Sequence, residues 1–481
     1  MNHKVIRYIL FRVITLEAIL MILPAIVAIV YGEVDSFCVF LGLIVICLIV
    51  GGIGCHKKPE NMVFYAKEGF IVTSLSWIIL SVIGAFPFVL TGTIPNYVDA
   101  LFETISGFTT TGASIMTSID EMEKSVEFWR TFSHWIGGMG VLVFMIAVVP
   151  MADGYSMHLM RAESPGPVVG KFVPKVKDTA KILYGIYFGF TLLEFVALLF
   201  AGRNAYEALT LTFSTVGTGG FSITNAGIGG YNMATQIIII IFMALCGVNF
   251  SVYYFLLTRR PKEALRCDEM RYYFGVMFVA AALIGVNIYH AGITTTLYES
   301  FHHALFTVVS IMTTTGFGTL DFNVWPEFSR SFLFMLTLVG ACAGSTGGGF
   351  KFSRILIIFR TIRNELSFVI HPRSVKRVYM DGHSVESTTV KSVFNYLGIY
   401  LVIMVLSVLV ISLDGFSFET NISAVAATLN NVGPGLGMVG TTGNFSQFSA
   451  LSKIVMMFDM LAGRLELLPM LILLSYRTWK K

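Results

Sequence analysis

The chain has 481 residues, 55% of them hydrophobic and 13% charged, with a mean hydropathy of +0.75; soluble domains sit nearer roughly 45–50% apolar and about 25% charged. Apolar stretches of about 20 residues, the length that crosses a ~30 Å hydrocarbon core, recur along the whole chain, which excludes a soluble protein and leaves no room for a large soluble domain. The net charge of +4 is spread in small basic clusters between apolar stretches, so it offers no continuous patch for nucleic acid.

In chain order, two apolar segments come first, near residues 8–30 and 37–53. Their length and the lack of an A-x-A-like site set them apart from a cleaved signal peptide, so residues 1–60 are expected to hold two retained helices. Four further units are expected at 61–155, 175–262, 272–362 and 390–481. Each has a first apolar span, near 69–90, 182–201, 273–291 and 393–413, and a second, near 128–149, 234–257, 331–359 and 451–474. Between them lie four stretches of equal length: "ALFETISGFTTTG" ending at Gly112, "ALTLTFSTVGTGG" at Gly220, "ALFTVVSIMTTTG" at Gly316 and "NISAVAATLNNVG" at Gly433. The first three share Ala-Leu at the start, Ser at the seventh place and Gly at the thirteenth. Self-similarity of this kind is the mark of a repeated unit.

At ~1.5 Å per residue such a stretch makes a helix of about 20 Å, too short to cross. It suits a half-helix that enters, turns and leaves. Non-helical backbone at membrane depth survives only where protein buries it or a watery cavity receives it, so four such segments predict one shared pore. The expected fold class is all-α integral membrane, with ten transmembrane helices: two leading helices plus four helix, re-entrant loop, helix units. Lys4, Arg7 and Arg12, then Lys57 and Lys58, then Arg161, Lys171, Lys175 and Lys177, then Arg259, Arg260, Lys262 and Arg266, then residues 354–377, then Arg477, Lys480 and Lys481 mark alternate breaks between spans. The other breaks carry acids such as Glu33, Asp120, Asp321 and Asp414. The positive-inside rule then places both termini in the cytoplasm, in agreement with an even number of crossings.

A cation stripped of water needs a cage of oxygens, and a ring of backbone carbonyls supplies one. Turning successive carbonyls to one side requires dihedrals that a Cβ forbids and glycine allows. The expected ion-binding residues are therefore Thr110, Thr111 and Gly112, Thr218, Gly219 and Gly220, Thr314, Thr315 and Gly316, and Asn431, Val432 and Gly433. Each half-helix would also aim its negative C-terminal end inward.

The second span of the third unit reads "GACAGSTGGGFKFS" from Gly340 to Ser353. Consecutive glycines cost about 1 kcal/mol each in a helix, so the helix is expected to break over Gly344, Ser345, Thr346, Gly347, Gly348 and Gly349. A phosphate-binding G-x-x-x-x-G-K-[ST] loop is excluded because Phe350 separates Gly349 from Lys351. A flexible mid-membrane loop below a filter is a natural gate. Arg464, in the last span, carries a charge whose insertion costs about 2.5–3.5 kcal/mol, which calls for a buried partner; Asp459 and Glu466 are not at helix-pairing spacing. Arg464 is expected to donate to carbonyls of the Gly344–Gly349 loop. Lys351 lies beside the same loop, either repelling cations or anchored to a carboxylate.

His302 and His303 beside Glu299 lack a third metal ligand at suitable spacing and read as interfacial. Glu103, Glu207 and Glu299 stand at unequal distances from their glycines, so no carboxylate ring is expected. Glu17 and Glu194 read as buried against neighbours or as proton relays. Of the cysteines, Cys38, Cys47, Cys246 and Cys342 lie in apolar segments and Cys55 and Cys267 beside basic clusters, without zinc or disulfide spacing. Clustered Asp, His or Glu of the kind a membrane enzyme needs is missing.

These four Thr/Gly repeats, with the glycine-rich break in the third unit, resemble the Trk/Ktr/HKT superfamily of potassium transporters over nearly the whole chain, and the extra leading helix pair resembles its TrkH branch. The resemblance implies four units around a pseudo-fourfold pore, potassium bound at the filter residues, a gate loop below them and no cofactor in this chain. Glycine at all four filter positions, Gly112 included, implies potassium in place of the sodium that a serine there accompanies. The unequal residues after them, Ala113, Phe221, Phe317 and Pro434, imply looser exclusion of sodium than in a tetrameric channel. The resemblance further implies a bacterial cytoplasmic-membrane location, a homodimer, and a cytosolic TrkA-like ring that binds NAD(H) or ATP/ADP and docks near 151–180, 258–272 and 362–390.

Overall fold

The computed structural model describes residues 2–57, 59, 65–140, 176–373 and 376–480. Apart from a hairpin at Tyr379–Met380 and His383–Ser384, these residues form helices and connecting loops. Six helices are long and apolar enough to cross a membrane: His3–Tyr31, Val34–Cys55, Ala66–Leu90, Asp178–Phe200, Asp268–His290 and Ser387–Asp414. They coincide with the two leading segments and the first span of every unit. Their outward faces keep large apolar side chains such as Ile29, Phe188, Phe278 and Leu409 exposed, as helices bordered by lipid would.

The second spans are less regular than the sequence suggested. The one expected near 234–257 is two helices, Met233–Cys246 and Phe250–Leu257, bent by 91°. Gly247 sits in the corner against the Tyr273 hydroxyl and the Thr313 methyl, and Asn249 starts the second piece by accepting from the Ser251 N–H at 2.9 Å. The one expected near 451–474 breaks between Ala450–Arg464 and Leu468–Leu474. There Glu466 and Leu467 take left-handed φ of 67° and 60°, and Pro469 in the following turn lacks the donor that a continuous helix requires. In the third unit Glu327–Val339 and Phe352–Ile370 flank a non-helical stretch from Gly340 to Lys351, wider than the expected break. The first unit contributes Lys124–Gly138; the end of its expected span near 128–149 lies outside the described residues, as does most of the 151–180 break.

Between the two spans of each unit stands a short helix: Tyr97–Phe108, Ala205–Val216, Leu297–Met312 and Phe418–Leu429. Each begins with a side-chain cap, from Asn96, Asn204, Thr296 and Ser417, which satisfies an otherwise orphaned backbone donor. The third is a turn longer than the others. One apolar cluster joins the leading helices to the first and fourth units, through residues such as Phe40, Trp77, Trp129 and Met460. A second joins the second and third units around Leu211, Tyr273 and Phe306. First and fourth units therefore share a core, closing the chain on itself.

One ion pair is fully enclosed within this packing. Arg130 Nε lies 2.7 Å from Glu103 Oε1, and both side chains are at most 1% exposed. The pair is knit into the loop beyond the first short helix, since Glu103 also accepts from the Ser114 hydroxyl and the Ile115 N–H, each at 2.9 Å. Removing one partner of such a pair strands a buried charge, so Arg130→Met is expected to destabilise the protein by about 3–5 kcal/mol. Breaking the exposed Arg260–Glu263 pair with Arg260→Ala is expected to cost under about 1 kcal/mol. Thermal unfolding of the two variants in detergent measures the contrast.

Candidate functional site

The four short helices end in the same way. The N–H of Thr111 bonds to the Ser106 carbonyl at 2.9 Å, and that of Thr110 to Gly107 at 3.1 Å. The same pairs recur as Gly219 to Ser214 and Thr218 to Thr215, Thr315 to Ser310 and Thr314 to Ile311, and Val432 to Ala427 and Asn431 to Thr428. This is a Schellman ending, which needs a left-handed residue just past the helix, usually glycine. Here the position holds Thr110, Thr218, Thr314 and Asn431, at φ of 54°, 54°, 59° and 54°. A β-branched residue in that region costs on the order of 1–3 kcal/mol, a strain repeated in three of the four units.

Two residues on, Gly112, Gly220, Gly316 and Gly433 also have left-handed φ, between 77° and 96°. A Cβ on Gly112 would meet the carbonyl oxygen of Gly219, one on Gly220 that of Thr315, one on Gly316 that of Val432, and one on Gly433 that of Thr111. Each glycine thus lies against the carbonyl that precedes the glycine of the next unit, and the fourth returns to the first. The contacts form a closed ring. All four glycines line one cavity of about 450 Å³, together with Phe221, Phe317, Pro434 and Arg130. On the other side of the ring, Thr110 Oγ1 and Asn431 Oδ1 are buried without a protein hydrogen-bond partner.

The units differ in how the ring is braced. In the first and third, Thr111 bonds to Thr109 and Thr315 to Thr313, both at 2.8 Å between hydroxyls. In the fourth, Asn431 donates to Thr111 Oγ1 at 2.9 Å and to the Met460 carbonyl at 2.9 Å. In the second, Gly219 replaces the threonine because the His134 ring occupies the space that its side chain would fill. His134 Nδ1–H donates to the Gly107 carbonyl at 2.8 Å, while Nε2 accepts from the Phe221 N–H at 3.2 Å. One donor and one acceptor assign the neutral Nδ1–H tautomer. The Phe221 ring lies 4.2 Å by centroid from His134 and 3.6 Å from the Arg130 guanidinium.

Directly against the ring lies the Gly340–Lys351 loop. Gly348 N–H donates to Thr314 Oγ1 at 2.6 Å, and a Cβ on Gly347 would come within 2.7 Å of the Thr313 carbonyl. Arg464 donates to the Thr346 carbonyl at 2.7 Å, to Gly138 at 2.8 Å and to Gly137. The expected contact between Arg464 and the loop is therefore present, through Thr346. Lys351 makes no ion pair among the described residues; its ammonium donates to the Gly347 carbonyl of its own loop. Gly344 and Gly349 have φ of 69° and 86°, the Gly344 carbonyl accepts from Phe250 N–H, and the Ser345 hydroxyl donates to the Cys342 carbonyl.

The loop has anchors that periodicity did not disclose. Glu269 Oε1 accepts from the Ala343 N–H at 2.7 Å and the Ser353 N–H at 2.9 Å, gripping both ends. Arg354 pairs with Glu466, donates to the Phe350 carbonyl at 2.9 Å and lies 3.8 Å above the Tyr396 ring. An ionisable residue inside an apolar span is a functional candidate by default, and that signal would have singled out Arg130 and His134. Glu269 and Arg354 sit at span ends, where charge is ordinary. His302 bonds to Gln236 at 2.6 Å and His303 to Thr319 at 3.0 Å. Glu207 and Glu299 lie in the first turns of their helices, whereas Glu103 is the partner of Arg130. Glu17 and Glu194 are fully buried.

A helical, lipid-bordered chain that brings four left-handed backbone turns together around one cavity has the architecture of a transport protein, not of an enzyme. The TrkH family profile, described as a cation transport protein, matches residues 36–480. The Trk system potassium uptake protein TrkH of Escherichia coli K12 is 33% identical over the whole of both chains. TrkG of the same organism is 31% identical over 97% of this chain and 96% of its own. The crystal structure of the potassium transporter TrkH from Vibrio parahaemolyticus superposes with a TM-score of 0.88 at 32% identity, covering all of both chains. The chain belongs to the TrkH family of cation transport proteins.

The exchange of threonine for glycine in the second unit is testable. Gly219→Ala should overpack against His134 and destabilise the protein by about 1–3 kcal/mol. Adding His134→Ala should recover part of that loss, as a double-mutant cycle followed by thermal unfolding will report.

Proposed function

We propose that this chain is the pore-forming subunit of a potassium uptake system in a bacterial cytoplasmic membrane, with ten crossings and both termini inside. The observation that carries the reading is the closed ring in which each filter glycine meets the carbonyl of the next unit. Among the described residues, backbone oxygens, a few hydroxyls and the Asn431 carboxamide converge there and no charged side chain does, which suits a desolvated monovalent cation. Thr110, Thr111, Thr218, Gly219, Thr314, Thr315, Asn431 and Val432 supply the ligands, and Gly112, Gly220, Gly316 and Gly433 the close approach. The membrane potential, worth about 2.3 kcal/mol per charge per 100 mV, drives accumulation without a catalytic group. Relatives named as potassium uptake proteins at 31–34% identity support potassium as the cargo.

The loop over Gly344, Ser345, Thr346, Gly347, Gly348 and Gly349 is the gate, which Arg464 would hold shut through the Thr346 carbonyl. A homodimer and a cytosolic nucleotide-binding ring of the TrkA type, which would act on the loop from below, complete the system. A pathway less selective for potassium, favoured by the unequal quarters of the ring, is one alternative, and a proton- or sodium-coupled symporter, which needs only one titratable group on the path, is another.

Rubidium uptake into proteoliposomes under an imposed potential tests the reading. The wild type should accumulate rubidium, and Gly316→Ser, whose side chain meets the Val432 carbonyl, should lose about tenfold or more; absence of wild-type uptake with every candidate partner and nucleotide would overturn the assignment. Uptake that tracks the potassium equilibrium potential at every pH would separate a channel-like path from a coupled one. Arg464→Gln should raise the flux severalfold, and a stably folded variant with unchanged flux would remove Arg464 from the gate.

A further inference from the structure

Far from the ring, a second cavity of about 930 Å³ opens between Phe352–Ile370, the start of Asp268–His290 and the segment leading into the hairpin. Arg360, Arg363, Lys376 and Arg377 line it, with Asp268 as the one carboxylate, so its wall carries three net positive charges. Asp268 is already engaged. It pairs with Arg360 at 2.9 Å and with Arg271, and accepts from the Asp381 N–H at 3.2 Å in the hairpin turn. Arg363 and Arg377 have no ion-pair partner among the described residues, and the Lys376 ammonium contacts only a neutral group, the Ser367 hydroxyl at 2.7 Å. Like charges gathered around one concavity repel one another unless an anion sits among them.

The helix that supplies Arg360 and Arg363 says what kind of anion. Its adjacent stripe, Phe359, Ile362, Leu366 and Val369, recurs at helical spacing and is 47–76% exposed. A soluble phosphate would not need an apolar face of that size beside its site, whereas a phospholipid presents a phosphate and acyl chains together. Cations at the headgroup level with apolar residues alongside are the arrangement by which proteins hold anionic lipids.

We propose that this cavity is a binding site for the phosphate of an anionic phospholipid, held by Arg363, Lys376 and Arg377 with its acyl chains along the Phe359–Val369 stripe. The orientation proposed above decides only that the lipid comes from the cytoplasmic leaflet. Native mass spectrometry of the full-length protein with added phosphatidylglycerol or phosphatidylcholine tests the site. The wild type should retain phosphatidylglycerol in preference, and an Arg363→Ala/Lys376→Ala/Arg377→Ala variant should lose affinity about fivefold per charge removed. Ser367→Asp, which adds a carboxylate and removes no cation, should weaken retention as well and guards against a misfolded triple variant. Equal retention by all three proteins, or no preference over phosphatidylcholine, overturns the proposal. Displacement of the lipid by millimolar inorganic phosphate would assign the cavity to a soluble anion, and a changed oligomeric mass without lipid loss would assign the face to a second copy of the chain; either also overturns it. The readout is binding, so failure here leaves the potassium reading untouched.

Discussion

The structure depends on the close approach of glycine Cα atoms to carbonyl oxygens of the neighbouring unit. A single Cβ at Gly112, Gly220, Gly316 or Gly433 would fill the gap that the next unit's carbonyl occupies, so the ring closes only if all four positions lack one. The left-handed turns at Thr110, Thr218, Thr314 and Asn431 serve the same end, by swinging the chain off each helix towards its neighbour. Their cost is offset locally by paired Schellman hydrogen bonds and by the hydroxyl braces across the first and third units.

Around this constraint the units diverge where asymmetry is tolerated. The second unit gives up a threonine and admits His134, which pins Phe221 by its backbone while the Arg130 guanidinium lies against the Phe221 ring. The fourth uses Asn431, whose amide reaches across to Thr111 and so ties the last unit to the first over 320 residues of chain. Among the described residues, only the third unit carries a long non-helical loop against the ring, and polar contacts hold that loop from Thr314, from Arg464 of the fourth unit, and from Glu269 at both of its ends. The loop is also packed, through Phe350 on Tyr396 and Tyr400, so its polar contacts act beside an apolar anchor at its C-terminal end. The Glu269 anchor is adjacent in sequence to Asp268, which faces the basic cavity and the hairpin, so the loop and that cavity share one helix terminus.

The long apolar helices of the leading pair and of the first spans, the four Thr/Gly-rich turns and the contact of Arg464 with the glycine-rich loop were legible in the sequence. Each rests on a signal that is local: a run of apolar residues, a recurring Thr-Thr-Gly, a cluster of glycines, a charge in an apolar span. The bends in the second spans were not, although Pro469 marked one of them, because Gly247 and Asn249 look ordinary until Tyr273 and Thr313 are placed beside them. The partner of Lys351 is a carbonyl four residues back, which no charge pattern reveals.

The sequence by itself determined that the chain crosses a membrane repeatedly and that four short segments end in Thr/Gly-rich turns, because hydropathy and the steric demands of glycine act residue by residue. Which segment neighbours which was decided only by the tertiary structure. The order in which the glycines meet carbonyls, the Arg130–Glu103 pair, the His134 wedge and the double grip of Glu269 all join residues far apart in the chain. Their energies depend on distances that only the packed core sets.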